Sequence, residues 1–441
     1  MTPELKTKLL ASLDAGRLVI ICGAGLSMAS PSSLPSALRV AQKCFDEHAL
    51  ITGANLDPGL RGNLEVLAEH FVELGELHSI FIERLVPWRD FVKPPNEGHV
   101  AIADLLLTHS LAAAISSNYD VLIEQSAAAY GADFLASLDG DEATVRTHIH
   151  GPLLKFHGCA QRDRRNTVWS ASQIETQPLA GRIDRTRTWM AANLREKDFL
   201  VVGFWTDWDY LNSVIGSALE GVTPRSVTLV DLDTEERLQQ KAPGLWELAH
   251  RDGVLFTHVR ESGAAVLSDL RRGFSASYIR KILAAGRDAV AMATGVPCDP
   301  QWLEVREADL TDEEFYAWRR DAEGVPVGQP ATARTPRSCE ILGCFHLLVR
   351  KAGGTPTGTG YVLNNKSVRI INGAGTILAT LKSRFVESPA IEAADIVVAV
   401  GATDIGLPSD IVRTGFAGDI VRPAAAGRWL DFQQAKAELE L

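Results

Sequence analysis

The sequence has few cysteines, and none of them form a patterned pair. The six cysteines among its 441 residues lie at positions 22, 44, 159, 298, 339 and 344, and no two are spaced as CxxC. Unpatterned cysteines are typical of proteins in reducing compartments, and CxxC pairs are the usual ligands of structural zinc. We therefore expect a cytoplasmic protein without a zinc site.

Long apolar runs and an excess of basic charge are also missing. The longest apolar runs are of strand length, far short of the roughly 18 residues that a membrane span needs. The segment 1–17 mixes charged and apolar residues, unlike a signal peptide. A formal net charge of −11 argues against general nucleic-acid binding, which needs a basic surface. We expect neither a membrane protein nor one that binds nucleic acid sequence-specifically.

What the chain does have is the composition of a globular enzyme, with 46% hydrophobic and 22% charged residues. Short apolar runs predict strands at 17–22, 111–116, 152–157, 198–204, 225–231 and 254–258. Amphipathic patterns predict helices at 62–86, 96–109, 119–129 and 207–219. This alternation predicts an α/β protein with a doubly wound, Rossmann-like parallel sheet and a helical insertion at about 50–95. We interpret the insertion as a cover for the site; a partner surface is the alternative.

A glycine-rich turn follows the first predicted strand. Gly23, Ala24, Gly25 and Ser27 come directly after this strand, and a helical pattern starts near Leu34. Gly23 and Gly25 can adopt positive φ and let the backbone approach a pyrophosphate, and the free N–H groups of the turn can donate to phosphate oxygens. A strand-to-helix packing turn is the alternative interpretation.

A polar segment, Ser117-Asn118-Tyr119-Asp120, follows the second strand. The carboxyl ends of strands are where open α/β sheets bind their ligands. Asn118 and Asp120 are also common as a turn residue and a helix N-cap.

A histidine follows the third strand. His157 precedes Gly158, and we expect its near-neutral pKa to suit it to act as a base. His150-Gly151 repeats the dipeptide and is the rival candidate. A metal site built from His148, His150 and His157 lacks a completing ligand, so we expect no metal.

Taken together, five segments resemble the catalytic core of the sirtuin superfamily, in its bacterial, defence-associated branch, over about residues 17–285. They are the GAGxS turn at 23–27, Pro95-Asn96-x-x-His99-x-x-Ile102-Ala103, the segment 116–120, Lys155-Phe-His-Gly158, and the strand 199–203 leading to Asp207 and Asp209. Deacylases of this family carry two CxxC pairs, which are absent here. The segment 28–35 also lacks the acidic-Phe-Arg pattern with which deacylases bind NAD.

The resemblance implies an NAD glycohydrolase that cleaves the nicotinamide–ribose bond and releases nicotinamide and ADP-ribose. In it, Asn118 would orient the ribose hydroxyls or the attacking water, His157 would act as a base or hold the ribose, and Asp120 would support this geometry. NAD would bind, as substrate, to Gly23, Ala24, Gly25, Ser27, Ser117, Tyr119, Gly203, Asp207 and, through its adenosine ribose, Asp231.

The composition changes after about residue 290. Residues 291–338 form a connecting segment that becomes rich in Pro, Gly and small polar residues, and short β-type runs follow at 340–349, 359–363, 368–371 and 396–400. We expect domains at 1–290 and 339–441, the second a smaller, antiparallel β-rich domain for sensing, partner binding or oligomerisation. The sequence 373–375 predicts a hairpin.

The resemblance also implies a role in antiviral defence, in which NAD depletion causes abortive infection. Such an enzyme must be gated, and the resemblance implies a homo-oligomer, a HerA-type ATPase partner or another sensor protein. Two other functions stay open: a protein deacylase or ADP-ribosyl transferase, and a non-catalytic scaffold that binds NAD or ADP-ribose.

Overall fold

The chain divides into two compact units in the computed structural model, Met1–Leu270 and Arg271–Leu441. The structure describes residues 1–205, 224–306, 310–326, 328–331, 339–385, 394–403 and 427–441. The domain boundary predicted at about residue 290 lies inside the second unit. The predicted helix 207–219 lies outside the described residues.

The first unit contains a six-stranded parallel sheet in the order β3-β2-β1-β4-β5-β6. Its strands are β1 (Leu18–Cys22), β2 (Leu111–Ser116), β3 (Leu153–Leu154), β4 (Asp198–Val202), β5 (Ser226–Val230) and β6 (Leu255–Val259). This is the strand order of the Rossmann fold, in which the chain reverses direction across the sheet beside β1. The predicted Rossmann-like sheet is confirmed.

The register of the central strands fixes where the polar segments meet. Cys22 at the end of β1 pairs with Ser116 of β2 on one side and with Val202 of β4 on the other. All five residues of β1 are buried, as expected for a central strand covered on both faces. The turns that start at Gly23, Ser117 and Gly203 therefore lie side by side at one edge of the sheet.

Helices of the first unit follow most of the predicted segments. They are α1 (Pro3–Asp14), α2 (Ala24–Met28), α3 (Ala37–Thr52), α4 (Leu64–Glu73), α5 (Glu97–Leu107), α6 (Leu122–Ala129), α7 (Gly140–Arg146) and α8 (Leu179–Asn193), then Glu235–Lys241, Pro243–Ala249 and the start of Gly263–Ala285. Short 3-10 turns occur at Pro58–Gly62, Trp88–Phe91, Arg164–Asn166 and Ser172–Glu175.

The helical insertion differs in detail from the prediction. The expected helix 62–86 is two elements, α4 and a π-type helix at Leu77–Leu85. Gly75 separates them because it adopts a φ of +70°, which ends α4 in the left-handed region. The insertion has its own apolar core, which includes Phe71, Phe81 and the loop residue Trp169.

The second unit contains a mixed five-stranded sheet in the order β11-β10-β9-β8-β7. Its strands are β7 (Thr355–Thr357), β8 (Gly360–Leu363), β9 (Lys366–Asn372), β10 (Ile396–Val400) and β11 (Arg428–Asp431). Helices are the remainder of Gly263–Ala285, then Arg287–Thr294, Asp312–Glu323, Cys339–Lys351, Leu378–Arg384 and Phe432–Glu438, with a 3-10 turn at Pro300–Leu303.

Three expectations for the second unit are wrong. Residues 340–349 are helical; Leu342, Phe345 and Val349 recur at helical spacing, and the helix is buried all round from Leu342 to Val349. The sheet is mixed rather than antiparallel, since β9, β10 and β11 are parallel to one another. Parallel strands cannot be joined by a tight turn. Residues 373–375 accordingly lead from β9 into the helix Leu378–Arg384 rather than into a hairpin.

In the described part of the chain, no helix is both long enough and apolar enough to cross a membrane.

Candidate active site

A cavity of about 390 Å³ lies at the carboxyl ends of β1, β2 and β4. This volume is within the usual range for ligand pockets, and the position is where the strand order reverses. Eleven residues predicted from the sequence to form the site line it: Gly23, Ala24, Gly25, Ser27, Ser117, Asn118, Tyr119, Asp120, His157, Gly203 and Asp231. Asp207, also predicted, lies outside the described residues. The structure thus brings these eleven together; their roles stay predictions.

Ser27 is the centre of a buried hydrogen-bond network. Its hydroxyl donates to Asp120 Oδ2 at 2.9 Å and accepts from Asn118 Nδ2 at 3.1 Å. His99 Nε2 lies 3.1 Å from the same oxygen, while His99 Nδ1 accepts from the backbone N–H of Asn96 at 3.2 Å. A neutral histidine whose Nδ1 accepts must carry its proton on Nε2, so His99 donates to Ser27. The single donor and both acceptor positions of the Ser27 hydroxyl are therefore used.

The network fixes the orientation of the Asn118 side chain. Its amide nitrogen donates to Ser27 and to the carbonyl oxygen of Gly23, at 3.1 Å each, which uses both N–H groups. Among the described residues, no donor reaches Asn118 Oδ1. Since Asn118 lines the cavity, its Oδ1 can accept a hydrogen bond from a group bound there.

His99 stays neutral in this environment. Burial lowers the pKa of His99 to about 4, an effect that the nearby Asp120 carboxylate opposes and the Lys155 ammonium reinforces. Its ring also completes a capping box at the start of α5 with Asn96. The sequence motif contained His99, but no role for it could be assigned before its contact with Ser27 was seen.

Besides Ser27, two groups hold Asp120 in place. Its Oδ1 accepts from the N–H of Leu122 at 3.2 Å, which starts α6, and its backbone carbonyl accepts from Lys155 Nζ. Lys155 is 1% exposed and forms an ion pair with Glu124 at 2.7 Å. Burial has the largest single effect on Lys155 and would lower its pKa, but Glu124, Cys159 and Asp120 together outweigh it and the pKa is raised. Lys155 is therefore a fixed cation that ties β3 to the Asp120 turn.

His157 is neutral too, and the expectation of a near-neutral pKa is wrong. Burial lowers the pKa of His157 to about 3, the charge of Arg182 lowers it further, and a hydrogen bond to the backbone of Ser117 only partly offsets both. His157 is 2% exposed. At pH 7 such an imidazole accepts hydrogen bonds as a neutral group.

The rival His150 lies elsewhere. It is fully buried, stacks on Phe134 with ring centroids 4.2 Å apart, and its Nδ1 lies 2.7 Å from the carbonyl oxygen of Gly151. It does not line the cavity. Of the two His-Gly dipeptides, the structure brings only that of His157 to the other predicted site residues.

The glycine turn does not have the positive φ angles that the sequence suggested. Gly23 has a φ of −137°, and neither it nor Gly25 adopts a positive φ. A Cβ on Gly25 would lie 2.7 Å from the Cα of Gly203, so the glycines are required by the close approach of the two turns. The N–H groups of Gly23, Gly25 and Leu26 are bonded internally, to the carbonyls of Val202, Gly203 and Gly23. Only the exposed Ala24 N–H has no partner among the described residues of this turn.

Sequence reasoning missed an aromatic wall beside His157. Trp169 is fully buried and stacks on Tyr119 with ring centroids 4.3 Å apart, and both rings line the cavity. Trp169 lies in a loop that no strand or helix pattern marks. The cavity is also lined by Lys241, which lies 3.8 Å from Asp233 and was likewise not predicted.

No group of three or more His, Cys, Asp or Glu side chains is arranged to hold a metal ion in the described parts of the chain.

Residues 112–249 match the protein-family model described as a SIR2-like domain. This range includes Asn118, Asp120 and His157, and it supports a relationship to the sirtuin-like superfamily. No protein in the curated set matches the chain. Similar solved structures include a SIR2 homologue in complex with NAD, at 17% identity over 61% of this chain and 93% of that chain, with a TM-score of 0.34. A mutant Sir2 homologue in complex with 2′-O-acetyl ADP-ribose has 18% identity over 62% and 96%, with a TM-score of 0.35. Likenesses at this level carry no argument about function.

Proposed function

We propose that the protein hydrolyses NAD at the bond between nicotinamide and ribose. The observation that carries this proposal is the convergence of Asn118, Asp120 and His157 on one cavity at the switch point of a Rossmann-like sheet. The SIR2-like match over residues 112–249 supports an NAD-processing function in general. The step from NAD processing to hydrolysis is our own.

In this reaction the bond between ribose C1′ and the pyridinium nitrogen breaks, and its electron pair leaves with nicotinamide. A water oxygen then bonds to C1′, and one proton is released. The intermediate state resembles an oxocarbenium ion, which is stabilised by fixed negative charge and by well-placed acceptors. The site provides both, in the Asp120 carboxylate, the Asn118 carbonyl oxygen and the neutral His157 imidazole.

Each group has a defined task in the proposal. Asn118 Oδ1 accepts a hydrogen bond from the attacking water or a ribose hydroxyl, and the Ser27 network keeps it in place. Neutral His157 accepts a hydrogen bond from the same water or from the ribose, and the proton is released to the solvent. At the other end of the cavity, the Ala24 N–H and the Lys241 ammonium are suited to the pyrophosphate, and Asp231 to the adenosine ribose.

The test uses a matched pair of histidine variants. Nicotinamide and ADP-ribose release from NAD would be measured for the wild type, Asn118→Ala, His157→Asn and His150→Asn, with the full chain and any co-purifying partner. We expect N118A and H157N to lose at least about 100-fold in kcat, as is usual when a positioned acceptor or base is removed. H150N replaces a buried histidine outside the cavity and should keep turnover.

Three outcomes would contradict the proposal. Equal losses in H150N and H157N would show a structural effect. Nicotinamide release that depends on an acylated peptide would identify a deacylase. Tight NAD binding without turnover would identify a scaffold.

We further propose that this activity serves antiviral defence in the cytoplasm, and that a homo-oligomer or a HerA-type ATPase or other sensor gates it. The support is the resemblance of the motifs to the defence-associated branch, together with the harm that ungated NAD loss would cause. The test is cellular NAD measured during phage infection, with the N118A chain as the inactive control. An NAD level that falls equally in both strains would contradict this role.

A further inference from the structure

The residues that line the cavity differ widely in exposure. At one end, Met28 is 50% exposed and the Lys241 side chain 40%. At the other end, Asn118 is 9% exposed, His157 2% and Trp169 fully buried. Among the described residues, we call the side of Met28 and Lys241 the open end and the side of Asn118, His157 and Trp169 the closed end, where Ser117 and Tyr119 remain partly exposed.

The closed end is an aromatic wall. The Tyr119 ring lies between two others, parallel to Trp169 at 4.3 Å and to His157 at 6.3 Å, with interplanar angles of 25° and 24°. Phe81 and Trp88 pack edge-on against Trp169 from the helical insertion, at 5.6 Å and 5.9 Å. The indole of Trp169 thus fills the space between the Tyr119 ring and the core of the insertion.

The polypeptide on either side of Trp169 is fixed to the site. The N–H of Val168 donates to the carbonyl of His157 at 2.9 Å, and the Tyr119 hydroxyl donates to the carbonyl of Val168. The Gln173 side chain accepts from the N–H of Trp169 at 2.7 Å. The indole N–H donates to Thr167 Oγ1, also at 2.7 Å. The wall is therefore a rigid part of the fold.

We infer that Trp169 determines the acceptor of this site, restricting it to water. This inference rests on the proposed NAD hydrolysis. A ribosyl cation is too reactive to leave the place where it forms, so its acceptor must reach the groups around Asn118 and His157. The wall closes that end, and the bound dinucleotide itself occupies the path from the open end. Water is small enough to pass the dinucleotide and reach C1′, whereas an acyl-lysine or another side chain of a protein is not.

The same chemistry with an alcohol provides the test. The C1′–nicotinamide bond breaks with its electron pair going to nicotinamide, the alcohol oxygen bonds to C1′, and the alcohol proton is released. The product is an alkyl ADP-ribose instead of ADP-ribose. The ratio of the two products, measured by mass spectrometry with methanol or 1-propanol present, reports how large an acceptor the closed end admits.

For the wild type we expect a low ratio of methyl ADP-ribose to ADP-ribose. The ratio of propyl ADP-ribose to ADP-ribose should be at least about tenfold lower still. Trp169→Ala should raise the propyl product about tenfold, to near the methanol level. Trp189→Ala is the matched control, because Trp189 is a buried indole in a different apolar core of the first unit and does not line the cavity. Its product ratios should equal those of the wild type. If W169A does not fold, Trp169→Phe should give an intermediate increase.

The outcomes separate the inference from the function on which it rests. Equal use of methanol and 1-propanol by the wild type, or unchanged ratios in both Trp169 variants, would overturn the inference while NAD hydrolysis stands. The same increase in W189A would also overturn it, since the effect would then come from a loosened core. No nicotinamide release by the wild type under any condition would overturn the proposed function, and the inference with it.

Discussion

Ser27 joins three residues of the candidate site through hydrogen bonds of its hydroxyl group. Its hydroxyl touches Asn118 and Asp120, which follow β2, and His99, which lies on α5. A hydroxyl with all three positions in use cannot rotate freely, and it transmits that rigidity to the Asn118 amide. In our proposal, Ser27 is a positioning residue for the reacting end.

Replacement of Ser27 by alanine should therefore impair turnover more than substrate binding. The change leaves one Asn118 N–H, one Asp120 oxygen and the His99 Nε2–H without their Ser27 partner, each a loss of about 1–3 kcal/mol. We expect S27A to lower kcat by about 10- to 100-fold, with a change in KM below about threefold, in a steady-state assay of nicotinamide release. Ser126→Ala is the control, since its buried hydroxyl donates to the carbonyl of Leu122 and Ser126 does not line the cavity. Equal kinetic losses in S27A and S126A would contradict this role.

The sequence predicted site residues well where they follow strands directly. Parallel strands end at one edge of a sheet, so the residues after β1, β2 and β4 had to come together. His99 and Trp169 could not be placed in the same way. One lies on a helix whose docking depends on Asn96 and Leu26, and the other on a loop held by Gln173. The low pKa of His157 likewise follows from burial, which the sequence does not give.

At the scale of elements, the site depends on the close approach of the turns after β1 and β4. Gly203 adopts a φ of +57°, and a Cβ there would lie 2.3 Å from the backbone nitrogen of Leu26. Gly25 donates to the carbonyl of Gly203 at 3.0 Å. The β1 and β4 turns thus share one backbone contact that no side chain could enter.

Gly203→Ala should accordingly destabilise the first unit strongly. Gly53 offers a matched comparison, because it also adopts a positive φ, +68°, but a Cβ there would meet nothing within 4 Å. Both substitutions force alanine into the left-handed region, which destabilises the fold by about 1 kcal/mol, and only G203A also introduces a backbone clash. We expect G53A to lose about 1 kcal/mol of unfolding free energy and G203A about 3 kcal/mol or more, measured by urea denaturation. Equal losses would mean that the two turns can separate without cost.

Elements of the second unit were harder to predict from the sequence. Its apolar residues are dense enough to fit either a strand or a helix, and 340–349 was assigned to the wrong one. The mistake matters because the helix Cys339–Lys351 supplies Phe345, Leu348 and other residues to the core of this unit. Pairing direction in β7–β11 depends on the chain between strands, which local patterns do not determine.

At the scale of the whole molecule, both units bury neutral histidines. Burial lowers the pKa of His157 to about 3 and that of His99 to about 4 in the first unit. In the second, burial and the charge of Arg350 lower the pKa of His346 to about 3, where its Nδ1 lies 3.0 Å from the Tyr361 hydroxyl. Each histidine regains an ordinary pKa near 6.5 when the chain unfolds. Below that pH the unfolded chain binds protons that the folded chain does not, so stability falls as the pH decreases from about 6.5 towards 3.

This linkage predicts marked acid sensitivity. Lowering the pH from 7 to 5 should reduce the free energy of unfolding by about 2 kcal/mol for each of these histidines. Because pH 5 lies above the folded pKa values and below 6.5, this loss is largely independent of how far each folded pKa is lowered. Three such groups together approach the net stability of an ordinary domain, about 5–15 kcal/mol. We expect the urea midpoint of the wild type to fall steeply over this range, before the acidic side chains titrate.

His346→Gln isolates the contribution of one histidine, since glutamine keeps a polar side chain but does not titrate. The variant should be less stable than the wild type at pH 7, where His346 still bonds to Tyr361. The difference in unfolding free energy between the two chains should shrink by about 2 kcal/mol at pH 5, because only the wild type is destabilised there by a buried neutral histidine. Unfolding free energies of both chains at the two pH values give this difference directly. A deficit that stays constant would mean that His346 is protonated in the folded protein, which its buried position beside Arg350 argues against.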